Sequence, residues 1–329
     1  MDKLTPDQPR VVPRMRYRPV VREDVGECLQ HLLPAWLALD TATATALPAL
    51  WLKLVEAPSL ISGVIEDLAQ PPGQRVQGWG VSLLPPPEWM SMLEREPAPY
   101  AARRCYEGLL TGHLQLPEEA RLGRLNAAGE LVAQVMHFSM RTHAHGQAYT
   151  NAVLRSANES FRAMHSGYQL RAIHYETTEA DLPHVLSAGF LIRPYVQPDR
   201  LAGRPAELRP VLTGMSREEA ARGRPGSSSH DVFDHQPPLF RLSATQRHLL
   251  RLALYEDHDE AITRALGVSV HGLKKLWRGI YERIADVAPD FFGDAASGDE
   301  DGKRGPEKRR QVLAYVRQRP EELRPWSAA

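Results

Sequence analysis

The residues best suited to chemistry lie toward the C-terminal end, in SVHGLKKLWRGIYERI from Ser269 to Ile284. At about 100° per residue, His271, Lys274, Lys275 and Arg278 share one face of a helix, while Leu273, Leu276, Trp277, Ile280 and Ile284 share the opposite face. Cationic side chains so placed neutralise phosphates, and they donate to guanine O6 and N7 when the helix enters a major groove. Ser269 stands where an N-cap belongs. A surface helix with a merely solvated cationic face fits the same wheel, so the pattern needs the context of its neighbours.

Other reactive types are placed less tellingly. His137, His143 and His145 fall within nine residues, but no Cys, Asp or Glu stands near them on a defined turn, so no metal is expected. Cys28 and Cys105 fit neither a metal nor a disulfide spacing. Glu56, Glu66 and Glu176 could serve as bases by type alone, and nothing in their spacing singles one out. No phosphate-binding loop, nucleophile elbow or carboxylate pair is present, and no catalytic residue is assigned.

The elements that position these residues follow from composition and period. The chain has 329 residues, enough for two domains, and 40 basic against 40 acidic residues exclude nucleic-acid binding by the whole surface. No run is long and apolar enough for a membrane span, and the Pro-rich start lacks the apolar core of a secretory signal, so a cytoplasmic protein is expected. Met15–Val20, 60–65, 75–84, Leu131–Met140 and Tyr168–Tyr175 read as strands; Glu23–Leu39, Thr150–His165 and Ala180–Ala188 read as helices. Ser243 with Gln246 forms a capping box, Gly267 ends a second helix, and Ser269 opens a third.

LSATQRHLLRLALYEDHDEAITRALGVSVHGLKKLWRGIYERI resembles the LuxR/NarL-type helix-turn-helix. The matches are Leu242, Ser243, Leu249, Leu250, Leu252, Asp259, Ile262, Leu266, Gly267, Val268, Ser269, Lys274, Ile280, Tyr281, Arg283 and Ile284. Ala261, Gly272 and Leu273 depart from the pattern. The resemblance implies duplex DNA as partner, with Ser269, His271, Lys274, Lys275 and Arg278 at the interface. A homodimer is expected from the small surface one such module buries, and RNA polymerase is a further candidate partner.

The N-terminal part resembles the GNAT acetyltransferases. YRPVVREDVGECLQHL is similar to their opening strand and helix, RVQGWGVSLL to a central strand, LVAQVMHFSM to the strand before the cofactor loop, and LPHVLSAGFLIRPY to the late helix and final strand. HAHGQAYTNAVL occupies the place of the loop whose backbone N–H groups cradle the coenzyme A pyrophosphate, which puts Gly146, Gln147 and Ala148 there. Tyr149, Thr150 and Asn151 follow without a second glycine, and bulky residues in this first turn obstruct the approach of the pyrophosphate, so the expectation is a GNAT-like fold that transfers no acetyl group, with acyl-CoA the one ligand the resemblance suggests.

The reading is an α/β (α+β) GNAT-like domain with a mixed sheet, followed by an all-α helix-turn-helix domain. The expected boundaries are a flexible leader at 1–14, the GNAT-like domain at 15–198, a linker at 199–238, the DNA-binding domain at 239–290, an acidic flexible segment at 291–305 and a basic amphipathic helix at 306–329. The function expected is a transcriptional regulator with a ligand-sensing or dimerising N-terminal domain and no enzymatic activity. The alternatives are a GNAT-type N-acetyltransferase with an appended DNA-binding domain, and a sigma-like polymerase accessory factor.

Overall fold

The computed structural model describes residues 13–141, 147–197, 201–223, 230–256, 258–296 and 301–327. The strands are β1 (Met15–Pro19), β2 (Leu60–Asp67), β3 (Val76–Leu83), β4 (Leu131–Met140), β5 (Leu170–Thr178), β6 (Leu191–Ile192) and β7 (Pro210–Ser216). They form one mixed sheet in the order β1-β2-β3-β4-β5-β7-β6, antiparallel throughout except for the parallel pair β4 and β5.

Helices cover both faces, because nearly every residue of β2, β3 and the first half of β4 is buried and no strand there has a wet side. On one face lie α1 (Val25–His31), α2 (Thr41–Leu54) and α4 (Ala101–Thr111), which close over Trp79 with Leu47, Trp51 and Tyr106. The Trp51 and Trp79 rings meet at 4.8 Å, a tilted contact worth about 0.5–1.5 kcal/mol beyond its buried area. On the other face, α5 (Glu119–Ala128), α6 (Gln147–His165), α7 (Leu182–Ser187) and α8 (Arg217–Arg222) pack on Leu131, Leu170, Ile173 and Phe190. The short α3 (Pro87–Arg95) sets Met90 and Leu93 against Val132 and Ala172.

Three expectations need correction. The single helix read over Glu23–Leu39 is α1 followed by a separate turn of 3-10 helix, Ala35–Leu37, because Pro34 cannot donate to a continuing ladder. The connection between β3 and β4 holds α3, α4 and α5, which the strand-by-strand reading passed over. The span 199–238 is not simply a linker: β7 pairs with β5 from Ala172↔Ser216 to Thr178↔Pro210, and α8 and Phe233 complete the core beneath it. Leu212, Thr213 and Met215 are buried, so the first domain needs this segment for its own core.

After residue 238 the chain is helical: α9 (Ala244–Ala253), α10 (Asp259–Leu266), α11 (Val270–Val287) and α12 (Asp301–Gln318). The Ser243–Gln246 capping box closes α9, and Gly267 ends α10 in the left-handed region at φ 64°. Leu249, Ile262, Leu273, Trp277, Ile280 and Ile284 meet in one core, which Val312 and Val316 of α12 complete. Within the span 291–305, residues up to Ala296 continue a 3-10 segment from Pro289, and α12 begins at Asp301.

The chain then returns to the sheet domain. Arg324 donates to the carbonyls of Ser166 and Ala163, each at 2.9 Å, and Asn126 Nδ2 donates to Pro325 O at 2.8 Å. Arg247 of α9 pairs with Glu119 of α5.

Candidate functional site

β4 and β5 are joined only as far as Val135↔Tyr175. Beyond that point β4 keeps its pairing with β3 to Met140, and β5 keeps its pairing with β7 to Thr178, but no pairing links β4 to β5. The cause is visible in the register. Ser82 faces Val135 and Val81 faces His137, so Met136 is an extra residue, and a bulge of this kind bends its strand away. The two strands therefore part, with residues 136–140 on one edge and 176–178 on the other.

Beside the parting lies a cavity of about 110 Å³ under α6. Ala157, Phe161 and Met164 of α6 roof it, Phe138 and Tyr175 line it from the two parted strands, and Phe190 lies beyond α7. Gly63 lies closest to this arrangement: a Cβ there would crowd the Met164 methyl, the flexible end of that side chain, whereas one on Gly78 would only touch Phe138 at 3.4 Å. The Tyr175 hydroxyl is pushed up to about 12, chiefly by burial, with Thr177 and the Phe138 backbone drawing it partly back. It keeps its proton at neutral pH and can donate it.

The three glutamates considered as bases are committed elsewhere. Glu56 is exposed and pairs with Arg22. Glu66 is held by Arg16 at 2.7 Å and Arg18 at 2.9 Å; these arginines outweigh its burial and keep its carboxyl below the usual range. Glu176 sits on β5 just past the parting, wholly buried, and accepts from Tyr100 N at 2.8 Å, Ala101 N at 2.7 Å and Tyr195 Oη at 2.6 Å. It caps α4 from outside the helix, and burial pushes it up to about 7 against the pull of these donors.

His137 turns away from the parting. Its ring meets Trp79 edge-on at 4.7 Å in the opposite core, and burial holds it down at about 3. It is a neutral core histidine. His143 and His145 lie outside the described residues, as does Gly146. Gln147 and Ala148 are exposed in the first turn of α6. Tyr149 is buried, and its hydroxyl donates to Asp67 Oδ2 at 3.0 Å. The expectation that this ring obstructs the helix N-terminus is thus corrected: Asp67 draws it inward, and the small Ala148 is left at the surface.

On α11, Ser269 Oγ accepts from Gly272 N at 3.1 Å, so its hydroxyl is engaged in the cap. His271, Lys274, Lys275 and Arg278 are all exposed, with Leu273, Trp277, Ile280 and Ile284 buried behind them. Arg278 lies 3.7 Å from Glu282, and both side chains are about 70% exposed, a pairing worth about 0.3–0.5 kcal/mol at most. Sequence reasoning missed Tyr175 and Phe138, since a tyrosine and a phenylalanine inside strands give no signal until the strands are seen to part.

No family model matches the chain, and no curated protein matches it. Solved structures similar to part of it include the C-terminal condensation domain of Ebony in complex with beta-alanyl-dopamine, 15% identical over 62% of this chain and 100% of that one, with a TM-score of 0.33. FeeM, an N-acyl amino acid synthase from uncultured soil microbes, is 12% identical over 64% of this chain and 95% of its own, with a TM-score of 0.35. The spermidine/spermine N-acetyltransferase SpeG from Vibrio cholerae is 10% identical over 64% of this chain and 97% of its own, also at 0.35.

Proposed function

We propose that the chain is an N-acyltransferase of the GNAT type, taking an acyl-CoA at the parting of β4 and β5, with C-terminal helices that hold it on duplex DNA. The observation that carries the reading is the loss of pairing after Val135↔Tyr175, which gives two strand edges to an extended ligand. A chain rich in amides, such as the pantetheine arm of coenzyme A, satisfies strand edges as an added strand does. The N-terminus of α6, with Gln147 and Ala148 exposed, suits a pyrophosphate. The cavity of about 110 Å³ is far smaller than a whole-ligand pocket and suits only a short acyl group.

The chemistry follows from what lines the parting. An amine attacks the thioester carbonyl, a C–N bond forms and the C–S bond breaks. The departing thiolate takes the proton that Tyr175 holds, and the amine sheds its own proton to water, from which Tyr175 regains one. A second reading, an acyl-CoA sensor without turnover, is favoured by the commitment of Glu56, Glu66 and Glu176 to other partners. Incubation with acetyl-CoA and a panel of amines, followed by a thiol-release assay, separates the two. Saturable release of coenzyme A supports transfer, and binding without release supports the sensor. Absence of both binding and release overturns the acyl-CoA reading.

DNA binding rests on the exposed cations of α11, His271, Lys274, Lys275 and Arg278, backed by a helical core. Paired half-sites would require a homodimer, which light scattering on and off DNA would detect.

A further inference from the structure

A cleft of about 1060 Å³ lies where the helical domain meets the sheet domain. Its walls come from both: β1 and α6 on one side, α9 and the end of α12 on the other. Tyr17 of β1 and Tyr255, just beyond α9, meet edge-on at 5.7 Å across it. Arginines gather around this pair. Arg162 and Arg317 act on the Tyr17 hydroxyl against the larger effect of Glu159, Arg317 and Arg324 act on Tyr255, and Arg324 repels Arg251.

These guanidinium groups are poorly compensated. Among the described residues Arg324 donates to the neutral carbonyls of Ser166 and Ala163 and lies over the Tyr168 ring at 4.7 Å, with no acid as partner. Arg162 reaches no nearer than 4.0 Å to the exposed Asp231, and its buried Nε has no partner. Arg251 and Arg317 form neither an ion pair nor a hydrogen bond among the described residues, and burial disfavours the charge on Arg251, with Arg324 and Arg247 adding to this and Tyr168 and Glu119 offsetting part of it. Acids line the cleft too, but Glu321 is spent on Arg319, and Glu159, Asp231 and Asp234 are exposed. Arg162, Arg251, Arg317 and Arg324 outnumber the three remaining acids of the cleft, and Arg251 and Arg324, the less exposed pair, have no ion-pair partner among the described residues, so an anion between them would relieve their repulsion.

We propose that this interdomain cleft binds a small phosphorylated molecule, held by Arg162 from the sheet domain and by Arg251, Arg317 and Arg324 from the helical domain. Arginine forks suit phosphate oxygens, and the two tyrosine rings offer an apolar wall to the rest of the ligand. A ligand touching both domains favours the arrangement in which they are docked. The proposal does not depend on acyl-CoA binding.

Calorimetric titration of the full chain with inorganic pyrophosphate at constant ionic strength, with saturating free coenzyme A present to occupy the N-terminus of α6, tests it, alongside Arg251→Gln and the more exposed Arg317→Gln. Wild type should bind saturably, and each variant should bind about tenfold more weakly, the loss expected from one charge-assisted contact to phosphate. Both variants should titrate with acyl-CoA as wild type does, which separates this cleft from the N-terminus of α6. No saturable binding by wild type overturns the proposal, as does wild-type affinity in either variant that folds.

Discussion

Glu176 and Ala101 join strand to helix: the carboxylate of β5 accepts from the first N–H of α4 at 2.7 Å, inside a site with no exposure to solvent. Tyr100, which precedes the helix, is held in the left-handed region at φ 67° so that its own N–H reaches the same carboxylate at 2.8 Å. The arrangement fixes α4 against the strand whose far end leaves β4.

Replacing Glu176 by Gln should destabilise the fold, with a pH signature. The folded carboxyl titrates at about 7, above its ordinary 4.5, so the native state binds more protons than the unfolded state between those values. Wild type therefore loses stability as pH rises from 4.5 through 7, and the glutamine variant does not. The deficit of Glu176→Gln should be largest below pH 4.5 and should narrow by about 2.5 kcal/mol between pH 5 and pH 8. Urea unfolding across that range reads it directly, and a constant deficit would contradict the assignment.

Gly167→Ala should separate the two domains. Gly167 has φ 84°, and a Cβ there would meet Glu321 N at 2.4 Å and Pro320 C at 2.6 Å, both backbone atoms that cannot swing aside. Left-handed strain and overpacking together predict a cost of about 2–4 kcal/mol. Gly203→Ala is the control, since its φ is 79° but nothing lies within 4 Å. It should lose only the strain, about 1–2 kcal/mol by chemical denaturation.

Lys274→Ala combined with Arg278→Ala should weaken duplex binding without unfolding α11, because both side chains are exposed. Each lost phosphate contact should flatten the log–log salt dependence by about one unit, measured by fluorescence anisotropy on a labelled duplex. Unchanged affinity and slope would mean that α11 is not the DNA-reading helix.

Much of this was legible before the structure, and the limits have physical causes. The helical period, the Ser243 box and the Gly267 stop marked α9, α10 and α11 because each signal is local. β7 was hidden inside a stretch of Pro, Gly and Arg, since a strand that completes a sheet by long-range pairing needs no strong local pattern. The roles of Tyr149 and Glu176 were misjudged for the same reason: their partners, Asp67 and Ala101, stand 82 and 75 residues away. Residue type suggested an obstruction and a free base, while tertiary contacts made one a core ring and the other a cap.

The parting of β4 and β5 as an acyl-CoA site is tested most directly by equilibrium titration of the full chain with acetyl-CoA, wild type against Ala157→Leu. Ala157 roofs the cavity of about 110 Å³, and leucine there extends into the space assigned to the acyl group. Wild type should bind saturably. The variant should bind acetyl-CoA at least about tenfold more weakly, a loss of about 1.4 kcal/mol, while keeping its affinity for free coenzyme A. Absence of saturable binding by wild type, or equal affinity of the variant for acetyl-CoA, would contradict the account.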